Sequence, residues 1–161
     1  MTHDELIGRA LRWLQGRWRC KLVVREPAFT GEQPDAIGWP FRSGSHLVEC
    51  KTSVGDFHSD KLKRWRADRG LGLFRWYLTP PGLLTDFKTR ILDRLPAGNG
   101  QKDHSWLDYW GVAEAHPRQI RVVRFARPVP PNAWNHQAEL WLLSKLCLRE
   151  RRLRESPTPN P

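Results

Sequence analysis

Long apolar runs are missing from this sequence: none approaches the roughly 18 consecutive residues that a membrane-spanning helix needs, so no membrane partner is expected. Cysteine is scarce and odd in number. Cys20, Cys50 and Cys147 lie far apart, with neither C-x-x-C spacing nor the even count of a disulfide framework, which points to buried thiols in a reducing cytoplasm. The zinc-site spacings H-x-x-H and H-x-x-x-H do not occur among His3, His46, His58, His104, His116 and His136. The opening residues Met1-Thr2-His3-Asp4-Glu5 are acidic where a signal peptide is basic. Acid is otherwise in short supply. Against 27 Lys and Arg stand only 17 Asp and Glu, a formal net charge of +10, and such a surplus suggests a polyanionic partner, nucleic acid first. Part of the excess falls at Arg149, Arg151, Arg152 and Arg154, where a solvated helix face explains it equally well.

What is present is enough apolar bulk for one core. Hydrophobic residues make up 39% of the 161, nine of them Trp, which suits a single domain over residues 1–155 followed by a Pro-rich, disordered tail at 156–161. Leu6, Ile7, Ala10, Leu11, Trp13 and Leu14 recur at helical spacing, with Thr2 and Glu5 forming a capping box. Strands are expected at 20–24, at 35–37 and at 45–51. A loop and then a helix, polar and basic on one side, should follow within 53–68, then a strand at 74–78 closed by Thr79-Pro80-Pro81-Gly82. Less regular are a short helix near 87–95 and an exposed loop at 96–105. Strands at 110–113 and 120–125 and an amphipathic helix at 135–153 complete the order. The fold class is therefore α/β in the mixed, α+β sense: a central mixed sheet flanked by helices.

The third strand carries the chemistry. In it Leu47, Glu49 and Lys51 share one face, and His46, Val48 and Cys50 the other. Two opposite charges on a half-buried strand face are costly unless paired or bound to something. Asp35 opens the preceding strand, and antiparallel pairing across the turn-rich segment 38–44 would bring it beside Glu49. Adjacent carboxylates repel unless a cation offsets them, and a hard ion such as Mg²⁺ does so with oxygen ligands while bridging to a phosphate. An ammonium such as Lys51 beside that ion can orient the attacking water or steady the charge of a pentavalent phosphorane.

Pro34-Asp35 followed by Glu49-Cys50-Lys51 resembles the signature of the PD-(D/E)XK nuclease superfamily, which includes restriction endonucleases, Holliday-junction resolvases and repair nucleases. The flanking text, Pro34 to Trp39, His46 to Ser53, Asp56-Phe57 and Tyr77 to Leu83, is similar to a small single-domain bacterial and phage branch of it. The resemblance runs over roughly residues 4 to 113. It implies a restriction-endonuclease-like core of order α-β-β-β-α-β and an Mg²⁺-dependent deoxyribonuclease, an endonuclease by preference, with Mn²⁺ able to substitute. Carried onto this sequence, Asp35, Glu49 and the backbone carbonyl of Cys50 hold the metal, Lys51 is the catalytic lysine, and Glu5 joins the metal shell from the first helix or merely caps it. Ser53 and Asp56 stand just outside the motif, Asp56 either touching the site from behind or serving as the N-cap of the basic helix. Lys61, Lys63 and Arg64 are expected on phosphates, with Trp65 in the core. Lys102, Asp103 and His104 sit in a loop that could reach substrate. A homodimer is one arrangement open to such a chain, with Leu140, Trp141, Leu143 and Leu148 seated on their own sheet or on a second copy. The alternative is a nucleic-acid-binding module on the same fold with catalysis lost.

Overall fold

The computed structural model describes residues 1–27, 32–60, 70–83 and 109–155. Expectations for Lys61, Lys63, Arg64 and Trp65, for the helix near 87–95, for the loop bearing Lys102, Asp103 and His104, and for the tail 156–161 fall outside these residues.

Helix α1 (His3–Gly16) starts at the expected capping box. The Thr2 side chain accepts from the Glu5 N–H at 3.2 Å, and the Thr2 N–H donates to Glu5 Oε2 at 2.7 Å. Its stripe Leu6, Ile7, Ala10, Trp13 and Leu14 is buried. Strands β1 (Cys20–Arg25), β2 (Ala36–Pro40) and β3 (His46–Cys50) form an antiparallel meander. After α2 (Val54–Asp60), strand β4 (Phe74–Thr79) returns parallel to β3. Strand β5 (Gly111–Ala115) lies parallel to β4, and β6 (Ile120–Arg124) turns back antiparallel along its outer edge. The result is one six-stranded mixed sheet in the order β1-β2-β3-β4-β5-β6, the mixed α/β class expected from the sequence. A short 3-10 turn at Pro131–Ala133 leads into α3 (His136–Glu155). No described helix is long and apolar enough to cross a membrane.

Core lies on both sides of the sheet. On one face α1 packs with Val48, Cys50, Trp76, Leu78 and Ala113. On the other, Leu47, Tyr77, Trp110 and Val112 pack with Phe57 of α2 and Leu142 of α3. All five residues of β3 are buried, so the expected half-exposed face does not exist: α2 and α3 cover it. Of the two places open to the apolar residues of α3, its own sheet takes others. Leu142 is buried, with Ala138 and Leu146 beside it, whereas Leu140, Trp141 and Leu148 stay about half exposed. Strand β2 continues to Pro40 rather than ending at Ile37, and β5 is shifted toward the C-terminus, to Ala115. Cys20 and Cys50 are buried as expected, but Cys147 is exposed, because it lies on the solvent side of α3. Burial alone lifts the Cys20 thiol to about 11.

Candidate active site

Strand pairing assembles the site. Ala36 faces Val48 and Ile37 faces Leu47, so Asp35, one step beyond Ala36, comes opposite Glu49. The Asp35 carboxylate is held in place through Oδ2, which accepts from the Cys50 N–H at 2.7 Å and lies 3.3 Å from His3 Nε2 at the start of α1. On β3, Lys51 continues the parallel ladder by donating its N–H to the Leu78 carbonyl at 2.9 Å. Its Nζ then lies 3.5 Å from Glu49 Oε2 and 3.8 Å from Asp56 Oδ1. Glu49 is 1% exposed and Lys51 4%, so this pair has left water almost completely.

Helix α2 begins where Asp56 is needed. Ser53, not Asp56, is the N-cap: its Oγ accepts from the Asp56 N–H at 3.1 Å. That places Asp56 in the first turn, where its carboxylate accepts from the Thr52 N–H at 3.1 Å and faces Lys51. The capping expectation for Asp56 is thereby corrected, and its place beside the motif is filled from the helix side. Glu5 is exposed, with its carboxylate in the capping box; the described side chain of α1 that reaches Asp35 is His3.

The electrostatics follow from the count of charges. The Cys50 thiol is raised well above its ordinary value, first by burial, then by Asp35 and Glu49, with Lys51 opposing and Asp56 adding a smaller push. Asp35, Glu49, Lys51 and Asp56 therefore all crowd around one residue. Three carboxylates against one ammonium leave an excess of negative charge, which a divalent cation would offset. No group of three or more His, Cys, Asp and Glu side chains arranged for a metal exists among the described residues. A donor set of Asp35, Glu49 and backbone oxygen suits Mg²⁺, which binds through one or two carboxylates and keeps its waters, better than it suits zinc. Cys50 can contribute only its carbonyl, because its thiol packs in the core on the α1 side.

Two polar residues of this edge were not singled out from the sequence. The β4–β5 register sets Thr79 against Glu114, on the face that carries Tyr77 and Val112 and hence Glu49. Both are buried, and Glu114 accepts from the Gly82 N–H at 3.1 Å and lies 3.1 Å from His116 Nε2. The signal was there: an acid inside the apolar run Gly111–Ala115 poses the same question as Glu49 does in β3. His3 offered none, since a histidine at a helix start is ordinary.

No family model matches the chain, and no curated protein matches it. Among solved structures, a protein of unknown function from Silicibacter pomeroyi is similar, with a TM-score of 0.54 and 20% sequence identity over 96% of this chain and 93% of that one. At that identity the likeness is one of fold.

Proposed function

We propose that the chain is an Mg²⁺-dependent nuclease that hydrolyses phosphodiester bonds, with DNA the favoured substrate. The observation that carries this reading is the buried Glu49–Lys51 pair beside Asp35, at the end of a parallel strand. An ion pair so far from water rarely stabilises a fold more than apolar residues of the same size would, so its presence favours a chemical task. Asp35, Glu49 and the Cys50 carbonyl would hold the ion. When bound, it supplies Lewis-acid polarisation of the phosphoryl oxygen and a more acidic water. Lys51 orients the attacking water and steadies negative charge as it develops on the phosphoryl oxygens. Asp56 positions Lys51 by facing its ammonium from α2. The Cys50 N–H, supported by His3, fixes one oxygen of Asp35 and leaves the other to the ligand. The free thiols and the absence of a spanning helix among the described residues fit work in the cytoplasm.

The test is cleavage of single-stranded, duplex, branched and RNA substrates in Mg²⁺ or Mn²⁺, with and without chelator. Lys51→Ala should slow cleavage by about 10²–10⁴-fold while nucleic-acid binding survives. Because removing Lys51 leaves buried carboxylates uncompensated, Lys51→Met and a thermal melt accompany it. Undiminished cleavage by either folded variant would sink the assignment of the reaction to this site. Salt-dependent binding by a wild type that neither cleaves nor takes up metal would make the chain a binding module.

A further inference from the structure

Away from the carboxylates, the turn between β5 and β6 and the outer face of α1 enclose an open groove of about 420 Å³. Arg9, Arg12, Arg17 and Arg118 line it, and no carboxylate does. Arg9 forms its base, donating to the carbonyls of His116, Pro117 and Gln119, so its position is fixed but its charge is not neutralised. Arg12, Arg17 and Arg118 are exposed. Among the described residues none of the four pairs with a carboxylate. Four like charges around one concavity repel one another, and a bound anion removes that repulsion.

The topology places the groove relative to the carboxylates. Strands β3, β4 and β5 are parallel, so Cys50 and Ala115 end at the same edge of the sheet, and the β5–β6 turn leaves from the edge that carries Asp35, Glu49 and Lys51. At about 4.8 Å between strands, the three steps from β3 to β6 span about 14 Å in the plane of the sheet, and α1 with its groove lies on the face opposite Glu49 and Lys51. A phosphate chain at Lys51 reaches the arginines by passing around this edge of the sheet, and guanidinium forks match phosphate oxygens two by two. We infer that this groove binds the phosphodiester backbone of a nucleic acid that continues past the edge carrying Lys51. Its place relative to the chemistry rests on the nuclease reading, but its binding does not.

The experiment uses the full chain in EDTA, where nothing is cut, with a fluorescent oligonucleotide titrated at a series of KCl concentrations. In Arg12→Gln/Arg118→Gln, which spares the turn clamp of Arg9, affinity should fall at low salt. The slope of log K against log salt should become shallower by about 0.7–0.9 for each phosphate that the variant no longer neutralises. Arg149→Gln/Arg151→Gln on α3 removes the same net charge and should leave the slope close to wild type. An unchanged slope in the groove variant, an equal change in both variants, or a wild type that binds no oligonucleotide overturns the inference. So does a groove variant that loses binding to anionic lipid vesicles, titrated in parallel, while its oligonucleotide binding is unchanged. Cleavage by the Lys51 variants is read separately, so the groove and the active site can fail independently.

Discussion

His46 shows how one residue ties stability to pH. Its ring is stacked against Trp18 and Phe74, with centroids 4.4 and 4.9 Å away, and Trp76 Nε1 donates to its Nδ1 at 3.2 Å. Burial pulls its pKa from the usual 6.5 down to about 4. Above the ordinary value the ring is neutral in both folded and unfolded chains. As pH falls between the two values the unfolded chain takes a proton that the native state refuses, so stability is lost, by about 3 kcal/mol at most. Below about 4 the native ring is protonated too, and this loss stops growing. Urea unfolding at pH 7 and pH 4.5 should therefore show a fall that is smaller by roughly 2–3 kcal/mol in His46→Phe. Equal falls in both proteins would refute the linkage. A cage drawn from residues 18, 46, 74 and 76 leaves no local trace in the sequence, because its members meet only after β3 and β4 pair. Asp35, Glu49 and Lys51 were legible for the opposite reason: charges in apolar strands are costly enough to need an explanation.

At the level of elements, α3 is placed by a polar anchor. Glu139 is buried, and its carboxylate accepts from Ser45 Oγ at 2.7 Å, Gly72 N–H at 2.7 Å, Trp134 Nε1 at 2.7 Å and Trp39 Nε1 at 3.2 Å. Those donors come from the β2–β3 segment, the approach to β4 and the entry to α3, so one carboxylate joins three parts of the chain. The Asn135 side chain, accepting from the Ala138 N–H at 3.0 Å, sets the helix start. This explains why α1 was readable and the buried face of α3 was not. The apolar residues of α1 recur with a single phase, whereas Leu140, Trp141, Leu142 and Leu143 run consecutively and favour no face. Glu139 chooses between them by turning Leu142 inward. Glu139→Ala strands four donors and should cost about 3 kcal/mol or more in a denaturant titration, while Glu139→Gln, which keeps an acceptor, should cost less. A loss under about 1 kcal/mol in the alanine variant would rule out the anchor.

For the molecule as a whole, the sheet order gathers the acids and the fold distributes the bases. Parallel β3, β4 and β5 bring Glu49, Lys51, Thr79 and Glu114 to one edge, while the net charge of +10 spreads around them. The sequence revealed the size of that charge but not its geography, since Arg9 and Arg118 meet only through the β5–β6 turn. A small body carrying so much charge of one sign repels itself, and salt screens that repulsion beyond about 10 Å at 0.1 M. The free protein should therefore melt at a higher temperature in 200 mM NaCl than in 20 mM. A polyanion relieves the same repulsion by binding. At a free oligonucleotide concentration of about 100 times Kd it should add about 2.7 kcal/mol of stability. Because salt competes with phosphate for the same cations, this gain should shrink as NaCl rises, opposite in direction to the free protein's trend. Thermal melts across the salt series, with and without oligonucleotide in EDTA, measure both slopes. Parallel slopes would mean that the positive surface serves solubility and holds no nucleic acid.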